Sequence, residues 1–351
     1  MIPKWRLPLS VLSAIAITLG APTLTPTAHA DTLTAPAPTN RHLDPRPDTA
    51  ELTRALTQLQ QRSNGAITIA EIGRSNEDRP VWSARVGHGP LRLLYITQQH
   101  GNEPLGTPAA LEFLRQTGIG NTPWQRRLRS QITVDIIVRA NPDGSERDWR
   151  YNYAPDAQPE YGNPGQGYDI NRYHDPDVAP DDNPATEAGH IQRHHADFDP
   201  HITVDYHMQG RYIDDNGDEI TASLLWPTHP DVTTDATTLS QQVTVTAHRA
   251  MTRAGGNVSL YPGGDYRGIA RNAYGILGNG SVLIELSAMG PQHEQTQIRS
   301  ALASMTAIAT TAANGDLDDI DPADADAETI PPRGEPIPGT RTLATTADDL
   351  D

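Results

Sequence analysis

The stretch YITQQHGNEPLG, residues 95–106, closes an apolar run with an imidazole, His100, and a carboxylate, Glu103, three positions apart. Two later apolar runs carry similar groups: ITVDYH ends at His207, and SVLIELS holds Glu285. In open α/β sheets ligands gather beyond the carboxyl ends of the strands, so these four side chains are candidates for one pocket. Two imidazoles and a carboxylate form a charge-neutralising, borderline-soft donor set that leaves a coordination position open for water, which suits catalytic Zn2+. Taken alone, His-x-x-Glu also fits a helix start with an acid in its first turn, so the surrounding chain has to decide.

The elements that must position these groups follow from hydrophobic spacing. TAELTRALTQLQQRSNG puts Leu52, Leu56 and Leu59 on one helical face and stops at Asn64-Gly65. ITIAEIG and PVWSARVG predict two strands around the turn RSNEDR, and LRLLYITQ a buried strand. PLGTPAALEFLRQTG predicts a helix with Pro104 in its first turn, where a missing N–H costs nothing. ITVDIIVRA, residues 132–140, is a buried strand that stops at the turn signature Asn141-Pro142-Asp143-Gly144. PATEAGHIQRHHADF, TTLSQQVTVTAHRAMTRAGG and HEQTQIRSALASMTAIATTAANG predict helices, the last with Ile298, Leu302, Met305 and Ala309 on one face. Apolar strands without strict alternation, interleaved with helices, predict a sheet covered on both faces: an α/β protein, a three-layer α/β/α sandwich around a mixed, largely parallel central sheet.

Absences narrow the chemistry. The 351 residues include no cysteine, which removes disulfides, thiolate ligands and a thiol nucleophile. The only lysine is Lys4 and no Gly-x-Ser-x-Gly occurs, so the mature chain has no P-loop lysine, Schiff base or Ser-Lys pair, and a serine hydrolase is disfavoured. Lys4 and Arg6, the apolar stretch LPLSVLSAIAITLG and Ala28-His29-Ala30 predict a secretory signal over 1–30, cleaved near Ala30, and hence an exported protein without a membrane span. Residues 31–47, rich in Thr and Pro, read as a linker, and 48–315 as one domain large enough for a full core. Residues 316–351 carry eleven acids against two arginines and read as a disordered tail. A formal net charge of −17 argues against a nucleic-acid partner.

Three further stretches, NPDGSERDWRYN, YDINRYH and VLIEL, carry a likeness: the chain resembles the zinc carboxypeptidase family over roughly residues 48–312. The resemblance implies one Zn2+ per chain held by His100, Glu103 and His207. It implies that Arg150 polarises the scissile carbonyl, that Asn171 and Arg172 hold the substrate's terminal carboxylate, and that Glu285 is the general base toward the catalytic water. The family's capping tyrosine falls on Tyr261 or Tyr266, with Tyr261 preferred. Arg267 and Arg271 lie where the family sets preference for the terminal side chain. The residue chemistry agrees, since a planar guanidinium suits a carboxylate and a fixed positive charge suits an oxyanion. The function implied is that of an exported zinc metallocarboxypeptidase acting on peptides with a free C-terminal carboxylate. The seventeen residues between signal and domain leave no room for a globular inhibitory pro-segment, so activity on export is expected.

Other readings stay beside this one. The same fold and site would serve an amidase or an acylamino-acid or cell-wall peptide hydrolase. A non-catalytic peptide- or wall-binding module would be expected to have lost Glu285 or a ligand. Asp205 either orients His207 or sits at a strand edge. His190, His194, His195 and His201 read as a solvated helix face, DDNGDE at 214–219 as a polar turn, and the tyrosine-rich excursion between Arg150 and Asp169 as a candidate pocket wall.

Overall fold

A computed structural model describes residues 32–34, 36, 39 and 41–338. The expected signal over 1–30 and the last thirteen residues lie outside them. Strands are β1 (Ile67–Arg74), β2 (Pro80–Gly87), β3 (Leu91–Thr97), β4 (Ile132–Val138), the two-residue β5 (Gly162–Asn163) and β6 (Gly167–Tyr168), β7 (Ile202–Gln209), β8 (Ala222–Leu225), β9 (Val258–Leu260) and β10 (Gly280–Ser287). Helices are α1 (Thr49–Arg62), α2 (Gly106–Gly118), α3 (Pro123–Gln131), α4 (Pro142–Arg147), α5 (Thr186–Phe198), α6 (Thr234–Arg253), α7 (Ala270–Ile276) and α8 (Glu294–Asn314).

Eight strands form one sheet in the order β1-β2-β4-β3-β7-β10-β8-β9, while β5 and β6 make a separate hairpin. The four central strands β4, β3, β7 and β10 run parallel, and antiparallel β2 and β8 flank them. Leu93 and Tyr95 of β3 join the core under α1, α2, α3, α6 and α8, whereas Leu94 and Ile96 face the second core under α5 and α7. Burial on both faces is why these strands read as unbroken apolar runs. Tyr95, packed edge-on against Phe113 and Tyr206, satisfies its hydroxyl on the Met305 carbonyl at 2.9 Å.

Local reading and structure part at a few places. Asn141-Pro142 opens the short helix α4 instead of a turn: the Asn141 side chain accepts from the Gly144 amide at 2.8 Å, and Pro142 takes the first helical position. The unassigned stretch before β4 forms α3, started by Thr122 and Gln125 bonding each other's backbone amides. β8 and β9 are too short for a periodic signal.

The flanks also differ from expectation. Leu33 and Leu43 of the expected linker pack on the core, and their amides donate to Asn314 and Gln295, each at 2.9 Å. Residues 316–338 of the expected disordered tail are folded against the domain, with Leu317, Ala325 and Ile330 buried. Their acids cap turns: Asp321 accepts from the Ala323 amide and Asp326 from the Glu328 and Thr329 amides. Composition alone signalled repulsion; a few buried apolar anchors and local capping offset it. Ile330→Ala is expected to lower unfolding stability by about 2–4 kcal/mol, read from urea titration, because Ile330 is fully buried. A change below about 0.5 kcal/mol would mean that this segment is not packed in solution.

Candidate active site

β3 ends at Thr97, and Gln98, with φ of 58°, turns the chain out of the sheet. Gln98 then holds the turn by donating to the Gly101 carbonyl at 2.8 Å. A Cβ on Gly101 would lie 2.1 Å from the Gly144 carbonyl carbon, so only glycine lets this turn approach α4. His100 and Glu103 thereby come to stand ahead of α2. The strand expected to end at His207 runs on to Gln209, and parallel register pairs His207 with Glu285 of β10.

The ring atoms His100 Nδ1 and His207 Nδ1 lie 3.0 Å apart. Glu103 meets both rings, through Oε1 at 2.9 Å from His100 Nδ1 and Oε2 at 3.0 Å from His207 Nδ1. All three residues are buried, and among the described residues they are the one group of three or more His, Asp or Glu side chains with donor atoms close enough to hold a metal ion. The outer ring nitrogens are tied to carboxylates: His100 Nε2 to Asp169 at 3.0 Å and His207 Nε2 to Asp205 at 2.7 Å. Donation outward leaves both inner nitrogens as acceptors facing one carboxylate, an arrangement that calls for a cation between them and fits Zn2+.

Burial opposes ionisation of Asp169, but Arg150, His100 and Arg172 outweigh it and hold its carboxyl well below the usual range. Asp205 is itself the start of a buried chain. The Gln99 side chain donates to Asp205 at 2.6 Å, His174 Nε2 meets the Gln99 side-chain oxygen Oε1 at 2.6 Å, and Tyr274 meets His174 Nδ1 at 3.0 Å. Burial brings the His174 pKa down to about 4, so the neutral ring donates to Gln99 and accepts from Tyr274. Nothing in the local pattern points to this chain beyond the polar Gln99 beside His100.

Around the donors lies a narrow cavity of about 40 Å3, lined by Arg150, Arg172, Tyr261, Arg271, Glu285 and Arg333 among others. Arg150 donates to Asp169 at 3.0 Å and Glu103 at 3.4 Å. Asn171 accepts from the Ala270 amide at 2.9 Å, and Arg172 stands next to it at the cavity wall. Glu285 is buried and its Oε2 has no hydrogen-bond partner among the described residues. Burial pushes this carboxyl up to about 7; His207 pulls the other way and Glu103 adds to the rise. A cation among the neighbouring donors would bring it back down.

The two tyrosines separate: Tyr261 lines the cavity, whereas Tyr266 donates to the Arg172 carbonyl at 3.2 Å and packs on Tyr161. The arginines separate too. Arg267 bonds Asp175, Asp177 and Asp231, away from the cavity. Arg271 is buried in it and, among the described residues, bonds neutral oxygens alone, those of Trp226, Thr228 and Gly264. The tyrosine-rich excursion packs on itself through Tyr161, Tyr168 and Tyr173 rather than lining this cavity. The histidines of the 190–201 group are dispersed, not solvated together: His190 meets the Arg74 carbonyl, His194 Asp135, His195 Asn279 and His201 the Arg92 amide. Arg333, from the expected tail, joins the cavity wall although no motif marks it.

Residues 52–212 match the family model described as zinc carboxypeptidase. No curated protein matches the sequence. Among solved structures, the fold is similar to a metallo-carboxypeptidase from Burkholderia cenocepacia (TM-score 0.56, 18% identity, 76% of this chain and 69% of that one). It is also similar to carboxypeptidase A from Helicoverpa armigera (TM-score 0.58, 19% identity, 76% and 73%). Bovine thrombin-activatable fibrinolysis inhibitor, solved with a tick carboxypeptidase inhibitor, aligns at TM-score 0.59 and 15% identity over 77% of this chain and 97% of that one.

Asp205→Ala is expected to weaken zinc binding about 10–100-fold, measured by chelator competition, with the fold retained. Unchanged zinc affinity would show that the ring of His207 needs no carboxylate to hold its orientation.

Proposed function

We propose how this chain, a zinc metallocarboxypeptidase matched to the zinc carboxypeptidase family over residues 52–212, carries out peptide hydrolysis. The observation that carries the reading is Glu285: a buried carboxylate with an oxygen unpartnered among the described residues, paired in register with His207 and lining one cavity with His100, Arg150, Arg172, Arg271 and Arg333. His100, Glu103 and His207 hold the zinc. Zinc, when bound, supplies Lewis acidity and makes water a usable nucleophile near neutral pH.

Glu285 takes the attacking water's proton at Oε2 and returns it to the leaving amine. Arg150, fixed by Asp169 and Glu103, stabilises the developing oxyanion without having to reorganise. Arg172, beside Asn171, grips the terminal carboxylate, and Tyr261 covers the bound residue. Arg271, buried without a carboxylate partner among the described residues, favours an acidic terminal side chain. A larger cavity of about 590 Å3 shares Met208 with the narrow one, and it has room for the upstream part of a peptide. The leader over 1–30 supports export, and no helix among the described residues is long and apolar enough to cross a membrane.

Glu285→Gln is expected to keep a full equivalent of zinc and lose on the order of 100-fold or more in kcat, since a neutral amide cannot accept the proton. Full turnover by that variant would move the base elsewhere. Amidating the substrate's carboxyl terminus should cut kcat/KM by about 100-fold or more, and Arg172→Ala should erase that discrimination. Equal hydrolysis of free and amidated peptides by the wild type would favour the amidase or endopeptidase reading.

A further inference from the structure

Residues 331–337 run beside the cavity as a strap. On one side the Leu260 amide donates to the Pro331 carbonyl and the Arg333 amide to the Leu260 carbonyl, each at 2.8 Å, along the outer edge of β9. On the other side the Ile213 amide donates to Glu335 at 3.0 Å and the Ile337 amide to Arg211 at 2.9 Å. A Cβ on Gly334 would stand 2.2 Å from the Ile213 carbonyl oxygen, so glycine is what lets the strap lie this close.

The strap carries Arg333 to the rim of the cavity. Its guanidinium lies over the rings of Tyr212 at 3.7 Å and Tyr261 at 4.4 Å, and Nη1 donates to Gln209 at 2.9 Å. The Gln209 amide nitrogen is already committed to Ser223 and Ser287, which leaves its oxygen to receive Arg333. Gln209 sits two residues past His207 on the same strand face, about 7 Å along. Arg333 is therefore fixed close to the reacting centre, yet among the described residues no carboxylate pairs with it, and the bond from Nη1 to Gln209 takes one of its five N–H donors. Arg271 lies buried in the cavity and Arg333 is only half-buried. A substrate that enters carboxylate first presents its preceding residue to the rim.

We propose that the C-terminal strap is part of the active site and that Arg333 binds an acidic side chain on the residue preceding the scissile bond. The inference rests on the carboxypeptidase reading above. Packed on two rings, the guanidinium keeps its fork oriented, and a substrate carboxylate completes a charge-assisted pair that a neutral amide cannot match.

The test compares kcat/KM for N-acylated dipeptides that differ only in Glu, Gln or Lys at the penultimate position. The wild type should prefer Glu over Gln by about tenfold or more, chiefly through KM, and disfavour Lys. Arg333→Ala should flatten the series with zinc content unchanged, and Arg333→Lys should restore part of the preference. Gly334→Val, which displaces the strap, should behave like Arg333→Ala. A Glu-to-Gln ratio near one in the wild type, or the same ratio in wild type and Arg333→Ala, would overturn the proposal while leaving peptide hydrolysis intact. Failure to hydrolyse any free-carboxylate peptide would instead bring down the carboxypeptidase reading and this inference with it.

Discussion

Parallel pairing of β7 with β10 sets His207 beside Glu285, and the chemistry of the site depends on that register. Side chains alternate faces along a strand, so a slip of one residue would swap Glu285 for Ile284 or Leu286 beside the donor cluster. Val204, Tyr206, Val282, Ile284 and Leu286 prevent the slip, because all belong to the opposite core and would have to turn toward the site. The burial that enforces the register is also what raises the Glu285 pKa. One constraint thus places the carboxylate and tunes it.

Around that pair, buried charge is met by buried charge. Asp169 ties His100 to Arg150, and Asp205 ties His207 through Gln99 and His174 to Tyr274 on α7. Ionised groups removed from water are tolerable when paired and hydrogen-bonded, and here the same pairing orients both rings. A helix on one face of the sheet is in this way mechanically linked to His207 near the strand end.

The flanks are fastened without a single cysteine. Side chains of α8 bond the backbone near Leu33 and Leu43, Arg139 donates to the Pro47 carbonyl, and the strap hydrogen-bonds along β9. Segments poor in apolar residues can be ordered in this way because backbone groups are obligatory hydrogen-bonding partners wherever they find a docking edge. The result covers the outer edge of β9, which would otherwise be exposed for pairing, and brings a cation to the cavity rim.

The sequence by itself determined the layered fold, because its central strands are long apolar runs and its helices carry continuous apolar faces. It also determined which polar residues stand at strand ends, so the donors His100, Glu103 and His207 and the carboxylate Glu285 were legible from local pattern. Hydrophobic patterning reports which face an element buries but not what lies across a gap of a hundred residues. Only the tertiary structure decided that Tyr261 rather than Tyr266 lines the cavity, that Arg271 turns in while Arg267 turns out, and that His174 reaches the site through Gln99. The ordering of residues 316–338, and with it the place of Arg333, was hidden for the same reason: an acidic, Pro-rich segment has no periodicity of its own, and its structure comes from the edges it docks against.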